Sequence, residues 1–283
     1  MDEHRTRASG WKHAKLSGHK NESLLENSLL NNEELRSFFL KKVNKETATI
    51  THIDIGGLYE TDVECVFDGE KTKSKTDMHI ILDDGSKYNI SIKKSLSGQV
   101  YLINANRFIK GFELQFNKII PDNIKRAIYL FWGYDEDVLS IINSVGTKKN
   151  YEVRKHRLVA DTLKIHNVDL FNSLIDWFKN NIKEITDFCF SKGLAKNQND
   201  WANLVWYNNL LDENPVNEIY FIDELIEIIS KYSEENIFYG KVGGGTTIQL
   251  PFGFVQWHSP TKKIPGDMQF HHNYHKIKEL LRK

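Results

Sequence analysis

Ser74-Lys75-Thr76-Asp77-Met78-His79-Ile80-Ile81-Leu82-Asp83-Asp84-Gly85-Ser86-Lys87-Tyr88-Asn89-Ile90-Ser91-Ile92-Lys93-Lys94-Ser95 carries the clearest structural signal in the chain. Two runs of alternating apolar and polar residues, Thr76–Leu82 and Lys87–Lys93, flank Asp83-Asp84-Gly85. A three-residue hairpin loop takes glycine at its last position, where the backbone turns left-handed. With that loop Leu82 pairs with Ser86, Ile80 with Tyr88, Met78 with Ile90 and Thr76 with Ile92, which makes one apolar face. His79 then opposes Asn89, and Asp77 opposes Ser91 with Lys93 two residues on, so the other face is polar. A two-residue loop at Asp84-Gly85 would set Asp77 against Ile92 and Met78 against Ser91, mixing the faces. Burial of one face selects the three-residue register.

The polar face gathers Asp77, Ser91 and Lys93 on one side of the hairpin. A carboxylate there suits Mg²⁺, a hard cation that prefers oxygen ligands. A lysine beside it can orient or deprotonate a water and stabilise charge on a phosphate under attack. A half-solvated sheet without any chemistry would show the same alternation, so spacing alone leaves both readings open.

Upstream, a helix is expected from about Asn21 to Leu40, with Leu24, Leu25, Leu29 and Leu30 on one face and Ser23 and Glu26 at capping-box spacing. Strands are expected over Ala48–Ile55 and Val100–Ile103, and a helix over Asn106–Phe116. The second half reads as helices over Ile124–Trp132 and Asp135–Val145, a strand over Leu158–Leu163 and one long amphipathic helix over Val168–Lys192. Glu218–Ile222 reads as a strand and Asp223–Lys231 as a helix. Thr246–His258 and Met268–Tyr274 read as strands, followed by a short basic helix. Residues 1–20 are basic and loop-like, with Arg5, Arg7, Lys12, Lys15 and Lys20.

The chain of 283 residues suits one large domain or two small ones, and 40% apolar with 27% charged residues is an ordinary globular mixture. No run of 18 apolar residues occurs, and the charged N-terminus has no apolar core, so neither a membrane span nor a signal peptide is expected. Cys65 and Cys189 alone cannot form a disulfide framework or a four-sulfur zinc site. A reducing, cytoplasmic compartment of a bacterium or archaeon is the expectation. Lys and Arg total 38, as do Asp and Glu. That balance argues against coating nucleic acid through bulk charge, and leaves room for a site-specific enzyme with local basic patches.

Thr76-Asp77 and Ser91-Ile92-Lys93, with 13 residues between Asp77 and Ser91, resemble the PD-(D/E)xK nuclease core, and more narrowly type II restriction endonucleases. The following Lys94-Ser95-Leu96-Ser97-Gly98-Gln99-Val100-Tyr101-Leu102 is similar to the polar Gly-Gln loop that leads into the third strand of small restriction enzymes. The resemblance covers roughly residues 20–115. It implies an α/β (α+β) fold, a mixed β-sheet flanked by helices with the hairpin central and a C-terminal part added for recognition. The corresponding division is residues 1–120 for the nuclease core and 121–283 for helical and strand elaboration, with the option that both form one compact domain.

The activity implied is Mg²⁺-dependent hydrolysis of duplex DNA leaving 5′-phosphate, in a restriction-modification system with a cognate methyltransferase. Asp77 would bind Mg²⁺ together with the Ile92 carbonyl and an acid on the first helix, Glu22 or Glu26. Lys93 would act on the attacking water, and Ser91 would position it. The chain departs from the pattern in Thr76, where proline is usual, and in Ser91, where an acid is usual. A hydroxyl is the weaker ligand, which leaves open one metal or two, and also a DNA-binding relative without catalysis. A nicking or repair endonuclease of the same fold is a further alternative, as are monomer and homodimer.

Gln256-Trp257-His258 and Asp267-Met268-Gln269-Phe270-His271 alternate polar and apolar residues, and glutamine and histidine can read base edges. Gln256, His258, Gln269 and His271, with Lys94 and Gln99 after the hairpin, are the candidate DNA contacts. Lys71, Lys73 and Lys75 could touch phosphates. His271 and His275 have metal-ligand spacing, but no cysteine or nearby carboxylate completes a zinc site. Gly243-Gly244-Gly245 lacks the ending of a phosphate loop and reads as a hinge or a backbone approach to DNA.

Overall fold

The structure, a computed structural model, describes residues 21–55, 62–146, 156–209, 216–242, 245–258 and 265–283. The basic N-terminal stretch and Gly243-Gly244 lie outside them. The chain groups into two compact units, Met1–Leu96 with Phe190–Asp223, and Ser97–Cys189 with Glu224–Lys283. Each is discontinuous in sequence. Residue 120, the division expected from sequence, falls inside the second unit.

In the first unit, residues 21–31 form helix α1 and Glu33–Lys42 form α2. The single helix expected here breaks at Asn32, which is extended (φ −116°, ψ 110°) and accepts from the Leu35 N–H at 3.1 Å. Asparagine favours a cap over a helix interior because its amide competes for backbone donors. Ser23 sits within α1, and its carbonyl accepts from the Asn27 amide at 2.8 Å, so it is no cap.

Strands β1 (Ile50–Ile55), β2 (Asp62–Glu64), β3 (Lys71–Lys73), β4 (Met78–Leu82) and β5 (Lys87–Lys93) follow. The chain then enters the second unit through β6 (Ser97–Asn104) and returns for β7 (Leu204–Asn208) and β8 (Asn217–Phe221). The sheet order is β1-β4-β5-β7-β8. Only β5–β7 is parallel, so the sheet is mixed, with the hairpin inside it. Met78 faces Ile90, His79 faces Asn89, Ile80 faces Tyr88, and Gly85 turns at φ +81°. The loop glycine and the burial of one face thus fix the register expected from sequence.

β7 has no counterpart in the sequence reading. All five of its residues are buried, so it shows a continuous apolar run instead of alternation. A parallel neighbour also needs a long crossover. One sheet face packs Met78, Ile80, Ile90 and Trp206 against Leu25, Leu29 and Phe39 of the helices. Phe39 stacks on Trp206 at 5.8 Å and meets Tyr88 edge-on at 5.6 Å.

The second unit contains α3 (Ala105–Phe116), α4 (Asp122–Trp132), α5 (Val138–Val145), α6 (Ala160–His166), α7 (Val168–Asn180) and α8 (Ile182–Asp187). After α9 (Ile222–Lys231) and α10 (Ser233–Asn236) come β9 (Phe238–Val242), β10 (Gly245–Leu250), β11 (Gly253–His258), β12 (Asp267–Asn273) and α11 (Tyr274–Leu281). Its sheet order is β6-β12-β11-β10-β9, antiparallel throughout. β6 therefore does not extend the hairpin's sheet, and the Gly98-Gln99 segment leads into a different one.

Leu158–Leu163 is not a strand. Val159 is extended, and α6 follows with Asp161 in its first turn and Lys164 and His166 in its last, matching the helix dipole. The long helix breaks at Asn181 and ends in a π-helical turn over Phe188–Lys192. Its aromatic stripe is core: Trp177 meets Phe108 and Phe112 edge-on at 6.3 and 5.3 Å. Thr246–His258 is two strands joined by a turn at Pro251-Phe252.

Candidate active site

The β4–β5 ladder ends at Met78–Ile90, and Asp77 bends out of it. The Asp77 N–H donates to the Ile90 carbonyl at 2.8 Å, the residue that Met78 already faces. The expected Thr76–Ile92 pair does not form. Its Ile92 N–H, which regular pairing would give to a strand carbonyl, donates instead to Asp77 Oδ2 at 2.7 Å. Thr76 is buried, with its N–H on Ser74 Oγ at 3.0 Å and its own Oγ on the Asp200 carbonyl at 3.4 Å. Ser74 Oγ donates to the same carbonyl at 2.8 Å. Two hydroxyls before the bend thus hang Asp77 from a loop more than a hundred residues away.

Ser91 is 1% exposed. Its hydroxyl accepts from Lys93 Nζ at 2.6 Å and donates towards Asp77 Oδ2 at 3.4 Å. Lys93 Nζ also lies 3.5 Å from the Ile92 carbonyl. Parallel pairing with Val205, Trp206 and Tyr207 fixes Ser91, Ile92 and Lys93 from the far side. Glu22 on α1 is near enough for its charge to act on Lys93. Its neighbour Asn21, fully buried, donates to the Asn208 carbonyl at 3.0 Å and so ties α1 to the end of β7. Asp77, Ser91, Ile92, Lys93 and Glu22 are therefore brought together. Glu26 is half-buried one turn along α1 from Glu22.

Burial pushes the Asp77 carboxyl above the ordinary aspartate range, opposed by Lys93, the Ile92 N–H, Lys75 and Ser91. Burial pushes the Lys93 ammonium below the ordinary lysine range, opposed by Asp77 and Glu22. Each charge is thus held mainly by the other. The donors that could hold a cation are Asp77 through Oδ1, which these hydrogen bonds leave aside, the Ile92 carbonyl and Glu22. All are oxygens, the set a hard divalent ion takes. No group of three or more His, Cys, Asp or Glu side chains able to hold a metal occurs among the described residues.

One rung along the same face, the Asn89 amide donates to the Asn199 and Trp201 carbonyls at 2.9 and 2.8 Å, so its Oδ1 accepts from His79 Nδ1 at 2.8 Å. Asn203 returns the clamp, accepting the Asn89 N–H at 2.8 Å. Sequence reasoning had no means of finding this clamp. Lys75, expected only as a possible phosphate contact, acts on Asp77. Lys73 is paired with Asp62 at 2.7 Å. Lys94 is half-buried just past the end of β5.

In the second unit Gln99, Gln256, Gln269 and His271 share one sheet face. Gln256 Nε2 donates to Gln269 Oε1 at 2.8 Å, and Gln269 Nε2 donates to Gln99 Oε1 at 2.8 Å. His271 stacks on Phe254 at 4.4 Å, and its Nε2 lies 3.3 Å from Gln256 Nε2. His258 faces Asp267 at the far end of the β11–β12 pair. His271 is on β12 whereas His275 is on α11, so the two do not share a helix face. No described helix is long and apolar enough to cross a membrane.

No protein-family model matches the chain, and no curated protein does. Among solved structures, the chain is similar to the restriction endonuclease MspI in complex with its cognate DNA. The two share 15% identity over 89% of this chain and 83% of that one, with a TM-score of 0.49. So distant a likeness is no argument for a shared activity.

Proposed function

We propose that this chain is a divalent-metal-dependent endonuclease that hydrolyses phosphodiesters of duplex DNA. The observation that carries the proposal is the contact chain Lys93–Ser91–Asp77–Ile92 N–H, desolvated and with Glu22 beside it. Perturbed, mutually opposed titratable groups at the end of a sheet are an economical way to build acid–base chemistry. Asp77, the Ile92 carbonyl and Glu22 would hold Mg²⁺, which when bound neutralises charge on the scissile phosphate and favours the hydroxide form of a ligated water.

The chain's own groups supply the rest. The Ile92 N–H fixes the rotamer of Asp77, leaving one carboxylate oxygen directed elsewhere. Ser91 holds the Lys93 amine by a short bond, so Nζ needs little reorganisation to orient a water or meet developing negative charge. The half-exposed Gln256, Gln269, His271 and His258, with Gln99, would form the base-reading surface, and Lys94 would contact a phosphate. A type II restriction role with a cognate methyltransferase fits this division of labour.

One observation favours a second reading. The Ser91 hydroxyl is already engaged by Lys93 and Asp77, which suits a DNA-binding module without catalysis. Incubating unmethylated phage and plasmid DNA with the protein and Mg²⁺ separates the possibilities. Discrete bands mean site-specific cleavage and relaxed circles mean nicking. Intact DNA with a mobility shift means binding alone and would overturn the proposal.

A further inference from the structure

The second unit's sheet carries three glutamines on three adjacent strands, joined side chain to side chain. Each amide has one donor group and one acceptor, so neighbouring bonds are not independent. Gln256 spends one N–H on Gln269 Oε1 and directs the other at His271 Nε2. Gln269 in turn spends an N–H on Gln99 Oε1. Gln256 is then left with an unspent acceptor, Oε1, and the exposed Gln99 with an unspent donor, its NH₂. Were His271 to present an N–H at Nε2, Gln256 would have to offer its oxygen there, and every amide down the row would turn over. The tautomer of one histidine therefore fixes the sense of three amides. Burial favours that ring's neutral form, in which Nε2 can accept.

Resting on the nuclease reading, we infer that Gln256–Gln269–Gln99 is one specificity-determining unit for duplex DNA, with His271 setting which end displays a donor and which an acceptor. The displayed groups are two strand spacings apart, about 10 Å. Gln99, on the edge strand β6, offers its NH₂ to the base-edge carbonyl that replaces an exocyclic amine, O6 of guanine or O4 of thymine. Gln256 offers Oε1 to an exocyclic amine, N6 of adenine or N4 of cytosine. Gln269 touches neither base: it is a positioning residue that transmits the sense of the row.

The test is selection of bound sequences from a randomised duplex library by the full chain in Ca²⁺, for wild type, Gln99→Glu and Gln269→Leu. Glutamate at 99 can still accept from Gln269 but displays an acceptor in place of a donor. The expected result is a change at one position, from guanine or thymine to adenine or cytosine, with the rest of the consensus kept. Gln269→Leu should relax two positions together. A general loss of affinity without a position-specific change would mean a structural role and overturn the inference. So would an unchanged consensus for Gln99→Glu, or a wild type that cleaves duplex DNA with no sequence preference. In these three cases the nuclease reading survives. A folded wild type that neither binds nor cleaves any duplex would overturn both.

Discussion

Ser91→Ala is the most informative single change at the site. It deletes the acceptor for Lys93 Nζ at 2.6 Å and the weaker donor to Asp77, and removes no backbone bond. Only the Ile92 carbonyl, at 3.5 Å, then remains among the bonds described for Nζ. A hydrogen bond to a charged group contributes about 1.5–3 kcal/mol. If the bond acts mainly in the transition state, that is a loss of about 10- to 150-fold in rate. Single-turnover cleavage at saturating protein reports it, because affinity for DNA no longer enters the rate. The melting temperature should fall modestly, since the buried Lys93 ammonium loses its nearest acceptor. Ser91→Val should add about 1–3 kcal/mol of overpacking at a position that is 1% exposed, and lower the melting temperature as well. Ser91→Asp should retain cleavage with a changed metal preference. A Ser91→Ala rate within twofold of wild type would refute the idea that the hydroxyl organises Lys93.

Adjacent lysines should differ sharply. Lys93→Ala should cost orders of magnitude in single-turnover rate, whereas Lys94→Ala should only weaken binding and its salt dependence. Asn89→Ala strips two carbonyls and His79 of their partner, and should destabilise the fold by about 2–4 kcal/mol in urea titrations. His271 is held at about 4, against an ordinary 6.5, by burial and then by His258. It is neutral in the fold and protonates sooner when unfolded. Stability should therefore be full above pH 6.5 and fall as pH drops towards about 4, and His271→Gln should flatten that decline in melts across pH.

The hairpin was legible because a loop glycine and one buried face together admit a single register. The bend at Asp77 was not. It depends on Ser74 and Thr76 reaching the Asp200 carbonyl, a contact with no local signature. β7 escaped notice for the opposite reason: buried on both faces, Leu204-Val205-Trp206-Tyr207 has no period to detect. Alternation picked out the polar residues of β11 and β12. Their amide row was hidden because it needs β6 to pair with β12, which brings Gln99 to Gln269 across the sequence. Helix ends at Asn32 and Asn181 show how one asparagine can outweigh an otherwise continuous apolar stripe.

The most direct measurement is cleavage of one unmethylated duplex substrate by wild type and by Asp77→Ala, each with Mg²⁺ and with EDTA, alongside a mobility shift in Ca²⁺. The account predicts products only for wild type with Mg²⁺, and a shifted but intact duplex for Asp77→Ala. Equal cleavage by Asp77→Ala, or cleavage undiminished by EDTA, would contradict it.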